Sequence, residues 1–196
     1  VSVVNDTMCG GQGTQVHVLN SQIGTSYRLF RGTTLIGDPQ SGNDLQLEFN
    51  TWGVPSTEVY HVLATRVVTG CGVLTDTSFF NITILDPDVG LTVTTNGPTV
   101  CLGTPLEVNI LDSHTDVSYQ LWLENAALAP AVQGTGADVL LTVPAMQESG
   151  TVTVRGTHSS GCSSTLTQSI ALVVEAPLMA WGATSISPQV GVPVDL

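Results

Sequence analysis

Apolar and polar residues alternate with a period of two along most of this chain. Val16 and Val18 flank His17; Leu45, Leu47 and Phe49 are separated by Gln46 and Glu48; Tyr60, Val62 and Ala64 are separated by His61 and Leu63. The pattern returns where Leu106, Val108 and Ile110 enclose Glu107 and Asn109, and where Val152 and Val154 enclose Thr153. Successive side chains of a strand point to opposite faces, so each segment predicts a strand with one buried face. No stretch carries the 3.6-residue period of an amphipathic helix. Turn-forming groups such as Gly37-Asp38-Pro39, Asn96-Gly97-Pro98 and Ser159-Ser160-Gly161 separate the segments. Together these features predict an all-β fold of antiparallel sandwiches. The predicted cores hold Val16, Val18, Tyr27, Leu29, Tyr60 and Val62, and then Val108, Ile110, Tyr119, Leu121, Val152 and Val154.

The landmarks recur at a nearly constant interval. Cys9 and Cys101 lie 92 residues apart, as do Tyr27 and Tyr119, and Cys71 and Cys162 lie 91 apart. So long a period marks whole domains in tandem, not solenoid units of roughly 20–50 residues. Overlaying the blocks predicts strands near 1–5, 14–20, 26–31, 44–50, 58–67 and 74–85, with a weaker one near 34–36. The second block predicts strands near 90–96, 104–111, 118–123, 138–143, 151–157 and 164–174. The expected division is residues 1–87 as module one with its first strand cut short, 88–176 as module two, and 177–196 as the start of a third, truncated module. Leu85-Asp86-Pro87-Asp88-Val89-Gly90 forms the first boundary and Val174-Glu175-Ala176-Pro177 the next. Gly191-Val192-Pro193-Val194-Asp195-Leu196 reads like Gly103-Thr104-Pro105-Leu106-Glu107-Val108. Either the third copy is simply cut there, or its residues complete the sheet of another copy by strand addition.

Charge narrows the partners. The 196 residues hold 4 Lys+Arg against 16 Asp+Glu, a formal net charge of −12. The cations are Arg28, Arg31, Arg66 and Arg155. So acidic a surface opposes phosphate backbones and anionic membranes, which excludes nucleic acid as a partner. No apolar run approaches the roughly 20 residues of a spanning helix, so no membrane insertion is expected. No leader stands at the start and the numbering begins inside a strand pattern, the expectation being a piece of a longer polypeptide.

Local motifs repeat with the strands. Cys9-Gly10-Gly11 and Cys101-Leu102-Gly103 share a Cys-x-Gly opening. Tyr60-His61-Val62-Leu63-Ala64-Thr65 leads to Gly70-Cys71, and Ser149-Gly150-Thr151-Val152-Thr153-Val154 leads to Gly161-Cys162. The chain resembles the repeated immunoglobulin-like or PKD-like modules of secreted cell-surface adhesins of the Bacteroidetes type, gliding-motility adhesins among them. That resemblance implies tandem seven-stranded antiparallel immunoglobulin-like β-sandwiches, export by the type IX route and an extracellular, cell-surface location. Val152 stands where the motif has tyrosine, and Val190 lies near where the third copy would carry its first cysteine.

An extracellular setting makes four regularly placed cysteines disulfide candidates. The repeat suggests Cys9–Cys71 and Cys101–Cys162. Topology weighs against it, because the turn before the second strand and the hairpin after the sixth lie at opposite ends of a sandwich. A six-residue strand spans about 20 Å, whereas bridged Cα atoms lie within about 7 Å. A Cys9–Cys162 bridge across the module boundary competes with the repeat-wise pairing, and unbridged thiols are the third option.

Asp86, Asp88 and Glu175 stand at module boundaries and could join loop carbonyls in holding calcium, with Asp112 and Asp116 in reach of the first boundary; solvated turn acids are the plainer reading. Trp52, in a loop with Gly53 and Pro55, is the best exposed aromatic for stacking on a sugar. Asp6-Thr7-Met8 resembles a short O-glycosylation motif and implies a glycan on Thr7; Asn5-Asp6-Thr7 and Asn81-Ile82-Thr83 fit the N-linked pattern. The four histidines are scattered. Ser113-His114-Thr115-Asp116 holds triad letters, but one loop cannot give them triad geometry.

No catalytic residues and no required cofactor are expected. The leading expectation is a non-catalytic structural segment of a repetitive adhesin or extracellular filament, whose partners are neighbouring repeats, other copies by strand addition, and surface glycans or proteins. The alternatives are a carbohydrate- or protein-binding sandwich and an accessory module of a secreted hydrolase.

Overall fold

The computed structural model describes residues 1–68 and 72–176; Cys71 and residues 177–196 lie outside the described residues. The first eight strands are β1 (Ser2–Val3), β2 (Thr7–Met8), β3 (Gln15–Val18), β4 (Thr25–Arg31), β5 (Thr34–Ser41), β6 (Leu47–Asn50), β7 (Glu58–Val68) and β8 (Gly72–Ile84). They form a β1-β3-β6 sheet and a β2-β8-β7-β4-β5 sheet. The next nine are β9 (Val93–Thr95), β10 (Thr99–Cys101), β11 (Leu106–Ile110), β12 (Val117–Leu123), β13 (Ala126–Ala127), β14 (Val132–Gln133), β15 (Val139–Val143), β16 (Gly150–His158) and β17 (Ser163–Glu175). These form a β15-β11-β9 sheet and a β10-β17-β16-β12-β13 sheet, with β14 also paired to β12. No strand of residues 2–84 pairs with one of residues 93–175. The architecture is therefore all-β, two immunoglobulin-like sandwiches in succession.

Two features depart from the alternation pattern. The first expected strand of each block, near 1–5 or 90–96, is followed by a second short strand in the other sheet. The first, β1 or β9, pairs antiparallel with β3 or β11, and the second, β2 or β10, runs parallel to β8 or β17, with rungs Met8↔Ile84 and Val100↔Val174. Every other pairing is antiparallel. The segment expected to end near residue 36 continues as β5 to Ser41, because Gly37-Asp38-Pro39 does not end the strand. It bulges where the register shifts between Tyr27 and Leu29. An edge strand tolerates this, since a proline there breaks no second ladder.

All twelve residues expected in the cores are buried, in two separate clusters. Leu45 is not: it is 67% exposed, just ahead of β6. The aromatics that fill the two cores include Tyr27, Tyr60 and Tyr119. Phe30 and Trp122 lie on the opposite face of their strands, Phe30 stacked on His61 and Trp122 under the Arg155 guanidinium. The hydroxyl of Tyr27 accepts the Gln22 N–H at 2.9 Å, and that of Tyr119 accepts the His114 N–H at 3.0 Å.

Candidate functional site at the junction

The connector between the sandwiches is short and tied down at both ends. Leu85 N–H donates to Met8 O at 2.9 Å on the first sandwich. On the second, Thr167 donates to Val89 O through its N–H (2.9 Å) and its hydroxyl (3.1 Å). Pro87 is buried between these anchors. It rests on Gly156 of β16, where an added Cβ would lie 3.0 Å from the Pro87 Cβ and 3.3 Å from Val117 Cγ1. Proline fixes its own φ and holds Asp86 extended, so the connector has little freedom left.

A covalent bond crosses the same gap. Cys9 follows β2 at the downstream end of the first sandwich, and Cys162 sits in the β16–β17 hairpin at the upstream end of the second. Their sulfurs are bonded, with Cα atoms 5.2 Å apart and a sequence separation of 153. The repeat-wise pairing of Cys9 with Cys71 and Cys101 with Cys162 is thus replaced, for the reason strand length gives: in the second sandwich Cys101 and Cys162 lie at opposite ends of β17. Cys101 is exposed with a free thiol, which corrects the expectation that it is bridged within its module.

A polar row braces the hairpin that presents Cys162. His158 Nε2 lies 3.0 Å from Asp116 Oδ2. Ser160 N–H donates to His158 Nδ1 at 3.0 Å, and Ser160 Oγ lies 2.7 Å from that nitrogen and 3.4 Å from Cys162 Sγ. Because Nδ1 accepts from a backbone N–H, the imidazole proton sits on Nε2 and points to Asp116. The lone pair a general base would use is already taken, so the row orients the turn. Asp116 does meet a histidine, though it is His158 of the hairpin rather than its loop neighbour His114.

The boundary acids separate. Asp86 Oδ1 accepts the Gly10 N–H at 3.0 Å, and Asp88 Oδ1 accepts the Gly90 N–H at 2.8 Å. Glu175 stands at the far end of the second sandwich, paired in register with Cys101. Since Met8↔Ile84 and Val100↔Val174 are matching rungs, the counterpart of Glu175 is Leu85, not Asp86. Among the described residues one group could gather three metal-ligating atoms within 4.8 Å: Cys9, Asp86 and Cys162. Its sulfurs are spent in the bridge, and neither Asp88 nor Glu175 belongs to it. Asp112 is not in this group either; its backbone N–H donates to Asp138 Oδ1 at 3.2 Å.

Other sequence candidates lie away from the junction. Trp52 is 70% exposed, beside Asp38, Gln40 and Glu48. Thr7 is exposed on β2, its hydroxyl donating to Asp6 Oδ1 at 3.3 Å. Sequence reasoning missed Phe79, which is 70% exposed and extends a ring row from Phe30 through His61, with centroids 5.0 and 5.2 Å apart. The signal was the Phe79-Phe80 pair, since adjacent strand residues cannot both face the core.

No family model and no curated protein matches the chain. Similar solved structures include murine CEACAM1b, at 12% identity and TM-score 0.40, covering 88% of this chain and 98% of that one. The fibronectin(III)-like modules of Clostridium thermocellum CbhA are similar at 9% identity and TM-score 0.36, covering 89% and 94%. The human OSCAR ligand-binding domain is similar at 15% identity and TM-score 0.37, also covering 89% and 94%. At these values the similarity carries nothing about ligand or partner.

Proposed function

We propose that this chain is a non-catalytic structural segment of a long repetitive cell-surface adhesin or extracellular filament, with residues 1–87 and 88–176 as successive modules. The observation that carries the reading is the placement of the Cys9–Cys162 bridge across the boundary. A bridge within a sandwich stabilises only that sandwich. One between sandwiches also removes the swing between them, which is what a stalk requires and a monovalent binding module does not. On the chain-entropy model, closing so long a loop stabilises the folded pair by about 5 kcal/mol. A structural disulfide persists in oxidising compartments, which supports an extracellular setting. X-ray scattering of the oxidised chain, the reduced chain and a Cys9→Ser variant tests the reading. The expected result is an extended pair when oxidised and a broader distribution of shapes once the bridge is lost. A compact, folded-back pair in the oxidised chain would contradict it.

A second reading has its own observation. Exposed Phe79, stacked in a row with the half-buried rings of His61 and Phe30, offers a flat ring of the kind that stacks on sugars, and it favours a glycan-binding module. Binding to a glycan array that disappears in Phe79→Ala, with scattering unchanged, is the result that reading predicts.

A further inference from the structure

The cysteine turn at the downstream end of the second sandwich repeats that of the first in three backbone hydrogen bonds. In the first, Gly11 N–H donates to Val54 O (2.8 Å), Gln12 N–H to Cys9 O (3.2 Å) and Val54 N–H to Gln12 O (2.7 Å). In the second, Gly103 N–H donates to Met146 O (2.7 Å), Thr104 N–H to Cys101 O (3.0 Å) and Met146 N–H to Thr104 O (2.9 Å). Gly11 and Gly103 share a φ of 78°, a left-handed conformation that explains the glycine of the Cys-x-Gly motif. Each cysteine follows by one residue the matching parallel rung, Met8↔Ile84 or Val100↔Val174. The turn that presents Cys101 is therefore the turn that presents Cys9, and Cys9 is covalently bonded to the next sandwich.

We infer that this end of the second sandwich is a covalent docking surface for a further sandwich of the same kind, joined through a disulfide to Cys101. The thiol is exposed and free, and apolar Leu102 (44% exposed) and Val173 (47% exposed) flank it. The occupant must bring a cysteine in its upstream hairpin, as Cys162 is brought to Cys9. In this sequence Gly70-Cys71 is the counterpart of Gly161-Cys162, so a second copy of the chain can serve as that occupant. The inference rests on reading the bridge as a staple between modules, and is independent of what the assembled array adheres to.

The bond forms by thiol–disulfide exchange with an oxidised small-molecule disulfide. The Cys101 thiolate attacks one sulfur of glutathione disulfide, forming a mixed disulfide and releasing one glutathione thiolate. The partner cysteine's thiolate then attacks Cys101 Sγ and releases the second. Two protein thiols lose two protons and two electrons, and one glutathione disulfide becomes two glutathione thiols.

The test incubates the full chain at high concentration in a glutathione redox buffer, followed by non-reducing electrophoresis and peptide mapping. The expected products are covalent dimers and longer oligomers linked from Cys101 of one copy to Cys71 of the next, with Cys9–Cys162 intact in every copy. Cys101→Ser and Cys71→Ser should each abolish them; retention of Cys9–Cys162 in those variants shows that they fold and separates this outcome from failure of the staple reading itself. Cys101–Cys101 links, oligomers that survive Cys71→Ser, or a Cys101 that only takes up glutathione would each overturn the inference.

Discussion

Tyr119 closes the turn before its own strand with a hydroxyl that accepts the His114 N–H, and Tyr27 does the same for Gln22. Replacing Tyr119 by phenylalanine keeps the ring and orphans that N–H. The expected cost is about 1–3 kcal/mol in chemical denaturation, the penalty of an unpaired donor out of water. Ionisation follows the same geometry. Burial pushes the Tyr119 pKa up from the ordinary value of 10.0, the His114 hydrogen bond opposes this, and Asp116 and Asp88 add to the rise; burial likewise raises Tyr60. The unfolded tyrosine loses its proton near pH 10 while the folded one keeps it, so above that pH the unfolded chain binds fewer protons. Stability should hold below about pH 10 and fall as pH rises toward the folded pKa values, less steeply in Tyr119→Phe. A stability that rises with pH in that range would contradict the assignment. Residues such as Gly42 and Gly134 show what sequence alone could not reveal. Both are glycine because a Cβ would collide with a backbone carbonyl, that of Gln22 or His114. Nothing in the local pattern marks that approach.

At the scale of elements, the strands were legible and their ends were not. Alternation needs several residues to register, and it correctly placed β3, β4, β6, β7, β11, β12, β15 and β16. The two- and three-residue pieces β1, β2, β9 and β10 fall below that length, so the change of sheet was invisible. The cysteine pairing hung on this, because the crossing strand carries Cys9 to the downstream end. The connector's rigidity rests on the seat that β16 offers Pro87. Gly156→Val would drive a branched side chain into Pro87 and Val117. The expected outcome is a loss of about 1–3 kcal/mol, as for other overpacked sites, and a broader scattering distribution. Asp86 sits with a carboxylate oxygen within 4.8 Å of both bridged sulfurs. Its charge repels an attacking thiolate, so Asp86→Asn should be reduced by dithiothreitol several-fold faster at low salt, with the difference shrinking as salt is added. Equal rates would show that the carboxylate does not shield the bridge.

For the whole molecule, the repeat period revealed two modules, while the way they are joined required three dimensions. The bridge changes how the chain responds to tension. Force applied between its ends runs through the backbone to Cys9, across the sulfurs, and out from Cys162. The 153-residue separation between them carries no load and cannot be drawn out. Only the residues before Cys9 and after Cys162 can lengthen, about 40 in all and roughly 150 Å when extended. Reduction should release the loop and add about 500 Å of contour length. Single-molecule stretching of the same chain, handled at its two ends with and without reductant, tests this most directly. The account predicts a short, stiff extension when oxidised and the long additional release only after reduction. The same long release in both conditions would contradict a junction closed by Cys9–Cys162.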